Sequence, residues 1–181
     1  MDADGLHAFV CRGAPSKSTR HWSLNDIVWR AFTSASVPAI NEPTGLVRLD
    51  GKRPDGLSLI PWREGKSVAW DVTVACSLAE SYVHLAAREA GSAAELAAAR
   101  KVDKYTTLLA CYSFKPVAVE ILGPINSSAV EFLSSLGHKI SSISGIPNEA
   151  AYLFQRISIM IQRFNATLLH DSFVQPMDSD M

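Results

Sequence analysis

The sequence predicts an α/β domain, α+β in its mixing, with a central mixed sheet flanked by helices. Three observations carry that expectation. Hydrophobic residues make up 48% of the 181 positions, enough to bury a core. Residues 57–62 and 67–74 read as paired strands around a turn, and 117–122 as a further strand. Between and around them, apolar residues recur at helical spacing. The resulting order is helix, three short strands, two helices, a strand and two helices.

Taken in turn, residues 1–21 lack a clear period and read as loop. Ser23, with Asp26 three positions on, resembles a capping box, and Leu24, Ile27, Val28, Ala31 and Ala35 then mark a helix over 24–35. Pro38 and Pro43 follow it, and 46–49 reads as a short extended segment. Asp50 to Gly56 is turn chemistry, with glycines free to take positive φ. The turn Arg63-Glu64-Gly65-Lys66 joins the two strands of a hairpin. Along its second strand Val68, Trp70, Val72 and Val74 share one face, while Ala69, Asp71 and Thr73 share the other.

Ser77-Leu78-Ala79-Glu80 and Ser92-Ala93-Ala94-Glu95 read as capping boxes that each open a helix, separated by a C-cap at Gly91. The second helix, about 93–112, lies in an alanine-rich stretch and groups Arg100, Lys101 and Lys104. Pro116 precedes the strand over 117–122, and helices are expected at about 128–140 and 148–169. The tail from Val174 is polar and expected to be disordered. The organisation expected is an N-terminal loop over 1–21, one domain over 22–170 and a tail over 171–181.

Composition narrows the function. With 17 basic and 18 acidic residues, the net charge of -1 supplies no general attraction for nucleic acid, though a local basic patch remains open. No apolar run approaches a membrane span, so no membrane partner is expected. The first residues lack the basic-then-apolar order of a signal peptide. Cys11, Cys76 and Cys111 are odd in number and widely spaced, which points to a reducing compartment and an intracellular, nuclear or cytoplasmic location.

The chemistry-bearing candidates are acids. Phosphodiester hydrolysis uses a metal to polarise the phosphate and to lower the pKa of an attacking water. Mg²⁺ or Mn²⁺ suits one or two carboxylates, waters and substrate oxygens. Asp55 at a strand entry and Asp71 on the partner strand could converge for that purpose, with Glu42 as a third acid. A lysine beside them would orient the water and offset developing charge. The plainer readings are that Pro54-Asp55-Gly56 is a turn and that Asp71 faces water, and on spacing alone they come first.

The run Asp50-Gly51-Lys52-Arg53-Pro54-Asp55-Gly56, followed by a hairpin and Val68-Ala69-Trp70-Asp71-Val72-Thr73-Val74, resembles the region downstream of the reverse transcriptase in LINE-type (non-LTR) retrotransposon reading frames. Further matching stretches are Gly5-Leu6-His7 with Cys11, Arg20-His21 with Leu24-Asn25, Glu42-Pro43, Lys104-Tyr105, and Gln155 to Arg163 with Asn165. They run through the chain from about Gly5 to Asn165, and their order and spacing carry the resemblance rather than any single motif. The Pro-Asp…Asp pattern is also similar to the core of the PD-(D/E)XK, or restriction-endonuclease-like, superfamily. That resemblance implies a restriction-endonuclease-like fold and an endonuclease-like function, cutting or handling DNA during retrotransposition. Asp55 and Asp71 would be the metal-binding acids, and Glu42 the acid contributed before the sheet. The lysine expected two residues after the second acid is replaced by Thr73, so Lys104, or next Lys101, would have to supply it from the following helix. No Tyr-x-Asp-Asp signature is present, so no reverse transcriptase activity is expected of this chain.

His7, Cys11 and His21 read as an incomplete zinc remnant, since a closed structural zinc site takes four ligands. Cys76 and Cys111 are expected to be buried apolar cysteines, and His84, His138 and His170 surface or packing residues. No glycine run precedes a helix in the manner of a phosphate-binding loop. Arg156 and Arg163, seven apart on one helix face, could meet nucleic-acid phosphates together with Lys101 and Lys104, or simply face water. Trp22, Trp29, Trp62 and Trp70 read as core anchors. DNA or RNA is the expected partner. The alternatives to an endonuclease are a catalytically inactive nucleic-acid-binding or assembly module on the same fold, or a decayed reverse-transcriptase reading-frame fragment.

Overall fold

The computed structural model of the chain describes Phe9 and residues 15–48, 50–108 and 110–173. Helix α1 (Pro15–Ser34) leads into β1 (Ala39–Asn41), β2 (Gly56–Ser58) and β3 (Val68–Ala75). Then come α2 (Glu80–Ala86), α3 (Ser92–Lys104), β4 (Ser113–Glu120), α4 (Ser127–Ser144) and α5 (Glu149–Phe173). The strands form a mixed sheet in the order β1-β2-β3-β4, with the first two pairings antiparallel and β3 parallel to β4. This is the central mixed sheet flanked by helices that the sequence predicts.

The alternation along β3 divides the helices between the two faces. Val68, Trp70 and Val72, with Val117 and Val119 of β4, point into the main core against α1, α4 and α5. Trp70 is fully buried there and stacks on Phe32 of α1 at 4.6 Å. The opposite face carries Ala75 and Ala118, packed on Ala93, Ala94, Ala97 and Ala98 of α3. Small side chains on both surfaces let α3 lie close to the sheet, which explains the alanine-rich stretch.

Pro116 lies within β4 rather than before it. Ser113 and Ile121 turn their N–H groups toward β3, on the carbonyls of Ser67 and Ala75. Alternation therefore turns position 116 outward, where a missing N–H breaks no ladder bond. The Asn126 carboxamide covers that outer edge by accepting the Ala118 N–H at 2.8 Å.

Several helix starts differ from expectation because long-range partners replace the local caps. α1 begins at Pro15, a residue suited to the first helical turn, so Ser23 lies mid-helix and Asp26 pairs with Arg30 at 2.7 Å. Residues 15–21 are therefore helix, not loop. At α3 the buried Glu120 of β4 takes the role of the cap, its Oε1 accepting the Ala93 and Ala94 N–H groups at 3.0 and 3.1 Å. Its Oε2 accepts the Ser77 hydroxyl at 2.9 Å, so Ser77 does not cap α2. Glu95 instead accepts the N–H and hydroxyl of Ser127 at the start of α4, at 2.5 and 2.6 Å. Neither capping box forms. The segment expected to be extended over 46–49 begins inside a 3₁₀ turn, Thr44–Leu46, and the first strand is β1 instead. The expected tail from Val174 lies outside the described residues.

Gly137 sets the crossing of α4 and α5. A Cβ there would stand 2.3 Å from the Ala150 Cα, backbone that cannot swing aside. Gly137→Ala is expected to lower the unfolding free energy by about 1–3 kcal/mol, the range for overpacking a tight contact, despite alanine's better helix propensity. Urea denaturation beside the wild-type protein measures it, and an unchanged or raised midpoint would contradict the packing described.

Candidate active site

β2 pairs with β3 only at Gly56↔Trp70 and Leu57↔Ala69. Where that ladder ends, the side chain of Asp55 continues it: Oδ2 accepts the Val72 N–H at 2.6 Å. On its other side the Asp55 carbonyl accepts the Glu42 N–H at 2.9 Å. Asp55 is thus held from both flanks, and its carboxylate lies along the edge of β3. Gly56 is needed beside it because a Cβ would meet the Trp70 indole at 2.0 Å. That steric reason, rather than a positive φ, accounts for the glycine; Gly51 does take a positive φ, 74°.

Asp71 follows Trp70 and faces the α3 layer, its side chain 4% exposed. Lys101 and Tyr105 come down on it from the end of α3, four residues apart and so on one helix face. The Lys101 ammonium forms an ion pair with Asp71 Oδ2. The Tyr105 hydroxyl shares its proton between the Arg53 carbonyl at 2.7 Å and Asp71 Oδ1 at 3.3 Å. Burial, then the charge of Asp55, pushes the Asp71 pKa up, and Lys101 opposes that rise. Burial and then Asp71 push the Tyr105 phenol up, which keeps it a neutral donor.

His21 of α1 completes the group, its Nε2 3.3 Å from Asp55 Oδ2. The hydrogen bond to Asp55 raises the imidazole above its ordinary value, against partial desolvation. His21, Trp22, Asn25, Glu42 and Asp55 line a cleft of about 240 Å³. Trp22 is 57% exposed at this cleft and is therefore not a core anchor, whereas Trp70 is one.

The structure brings together Asp55, Asp71, Lys101 and His21, and separates others. Lys101, not Lys104, meets the carboxylate; Lys104 Nζ reaches the Tyr105 hydroxyl at 2.9 Å, one residue removed from Asp71. Burial lowers the Lys104 pKa, and Asp71 partly offsets that. Glu42 lines the cleft but its carboxylate is ion-paired with Arg53. Arg156 and Arg163 are exposed on α5, which packs on the opposite sheet face from Lys101 and Lys104, so the four do not form one patch. Arg156 pairs with Glu149 at 3.4 Å. Of the expected zinc remnant, His21 is engaged with Asp55, and His7 and Cys11 lie outside the described residues. Cys76 is half-buried and Cys111 exposed, so neither is the buried apolar cysteine expected. His84, His138 and His170 are exposed, as expected. Tyr105 and His21 stand in stretches that carry the resemblance, but their contacts with Asp71 and Asp55 were not read from the sequence; the four-residue spacing of Lys101 and Tyr105 was the available signal.

The donor set bears on a metal. A carboxylate raised by burial and then by a like charge next to it would be relieved by a hard divalent cation. Among the described residues no three His, Cys, Asp or Glu side chains converge as a ready metal site. Asp55 and Asp71 offer oxygen donors alone, a set whose chemistry would suit Mg²⁺ or Mn²⁺ better than zinc.

No protein-family model matches this chain, and no curated protein matches it.

Because His21 has its pKa raised on folding, its contribution to stability is full below about pH 6.5 and is lost as pH rises through the folded pKa. In metal-free protein, proton titration by NMR should place His21 above the ordinary histidine value, and Asp55→Asn should bring it down. A His21 pKa unchanged by Asp55→Asn would contradict the contact.

Proposed function

We propose that the chain is a metal-dependent nucleic-acid endonuclease domain, restriction-endonuclease-like in its fold and descended from the region downstream of the reverse transcriptase in LINE-type retrotransposons. DNA is the substrate favoured by that descent, in an intracellular setting. The observation that carries the reading is Lys101 paired with Asp71 beside Asp55. Two acids and a lysine meet at one sheet edge although Thr73 occupies the position where the resemblance expects the lysine.

In this reading Asp55 and Asp71 would hold Mg²⁺ or Mn²⁺. The ion, when bound, supplies polarisation of the phosphoryl group and a more acidic water. Lys101, beside Asp71, would orient the attacking water and offset negative charge at the phosphorane-like transition state. Tyr105 keeps Asp71 in place from the Arg53 side. His21, hydrogen-bonded to Asp55, stands at the cleft wall where it can accept or return a proton. Exposed Trp22 offers a base a stacking face at the same cleft.

A second reading is favoured by the same ion pair. Lys101 already neutralises Asp71, as a fixed structural bridge would, and a silent nucleic-acid-binding module would need no divalent cation. Such binding would weaken steeply with salt.

Labelled single-stranded and double-stranded DNA incubated with Mn²⁺ separates the two. Cleavage is expected, reduced by about 10²-fold or more in Asp55→Asn, Asp71→Asn and Lys101→Met, the scale of losing one transition-state contact. Lys104→Met should stay within several-fold of wild type. The asparagine at 55 keeps an acceptor for the Val72 N–H, so the strand edge is preserved. Wild-type cleavage by the double Asp55→Asn, Asp71→Asn protein would overturn the assignment. Metal-independent, salt-sensitive binding without cleavage would favour the second reading.

A further inference from the structure

Beyond Asp55, the β2 side of β3 has no paired strand among the described residues. α1 runs past this edge, and between them Phe9, Lys17, Arg20, His21, Thr73, Val74 and Cys76 enclose a second pocket of about 210 Å³. His21 is common to this pocket and to the cleft beside Asp55.

Arg20 is the unusual member. It is 3% exposed, and its Nη1 donates to the Asn165 carboxamide oxygen at 3.1 Å. Asn165 in turn donates to the Ile121 carbonyl at 2.6 Å, so this guanidinium edge is tied to the core by neutral groups alone. Among the described residues the buried Nε has no hydrogen-bond partner. No carboxylate pairs with Arg20 among the described residues, and burial lowers its pKa. A buried cation without an anion is costly, and an anion reaching it from an open pocket would recover that cost. Guanidinium N–H groups are well matched to phosphate oxygens, and Lys17 and Thr73 line the same pocket.

We infer that the Arg20 pocket is a phosphate-binding subsite, which seats a phosphate of the nucleic-acid strand next to the one presented to Asp55 and Asp71. This rests on the proposed reading of the acid cluster for the identity of the strand, but not for the binding of phosphate itself. The shared wall at His21 places the two phosphates on either side of one residue of α1. Thr73, short where a lysine would project, leaves the pocket open at the sheet edge.

The test is titration of inorganic phosphate into the full chain, in chloride buffer of matched ionic strength, followed by thermal denaturation and by calorimetry. Saturable binding is expected, at least tenfold weaker in Arg20→Met and in Thr73→Leu, which narrows the pocket without touching the core. Asp71→Asn should bind phosphate as wild type does, although it loses cleavage; that contrast separates this subsite from the acid cluster. A short single-stranded DNA should displace the phosphate. Absent phosphate binding, or binding equal in wild type and Thr73→Leu, overturns the subsite; Thr73→Leu decides if Arg20→Met does not fold. Phosphate that binds but is not displaced by DNA overturns its assignment to a nucleic-acid strand.

Discussion

The Asp55 carboxylate receives the Val72 N–H at the point where β2 ends and β3 continues without it. A strand edge left bare is an exposed hydrogen-bonding surface, and proteins cover or blunt such edges. Here one side chain completes the ladder for one residue and then leaves the edge to α1. The same bond aligns Asp55 with the following strand, so its charge is felt by Asp71, Tyr105 and His21 together. Both the acid cluster and the Arg20 pocket depend on β2 stopping there.

The two faces of the sheet contribute differently to the site. The face toward α1, α4 and α5 is built from large residues, and it anchors α1 firmly through Leu24, Val28 and Phe32. That anchoring carries Arg20, His21 and Asn25 to the strand edge; the Asn25 carboxamide accepts the Trp70 indole N–H at 2.8 Å. The face toward α3 packs alanine on alanine at Ala75 and Ala118 and sets Tyr105 against Ala69 and Phe114, which brings the helix close enough for Lys101 to span to Asp71. Bulkier residues at Ala97 or Ala98 would lift the helix and separate the lysine from its carboxylate. Buried Glu120 pins the other end of α3 through its first N–H groups. The helix is therefore set at both ends by acids of the sheet.

Much of the fold was readable because period and punctuation are local. The alternation along β3 assigned Trp70 to the core and Asp71 to the opposite face, and the order of helices and strands agrees with the structure. What escaped reading is non-local. Glu120 lies far along the chain from the N–H groups it caps, so Ser92 and Glu95 looked like a self-contained capping box. Turn and strand positions alone favoured a plain turn at Asp55 and a water-facing Asp71; the resemblance singled the two out, and Asp71 is in fact buried within the reach of the Asp55 charge. The choice between Lys101 and Lys104 depended on which face of α3 meets the sheet. The buried alanines at 93, 94, 97 and 98 define that face, and Lys101 continues it. Glu42 looked like a third acid, but nothing local announces that Arg53 takes its carboxylate. Trp22 looked apolar enough for the core, and only the turn of α1 leaves it outside.

The most direct test is calorimetric titration of Mn²⁺ into the full chain in the presence of an uncleavable phosphorothioate oligonucleotide, beside the Asp71→Asn variant. The oligonucleotide supplies the substrate oxygens that two protein carboxylates need to complete a coordination sphere. The account predicts saturable binding by the wild-type protein and its loss in the variant. Equal binding by both proteins, or none by either, would contradict a metal site at Asp55 and Asp71.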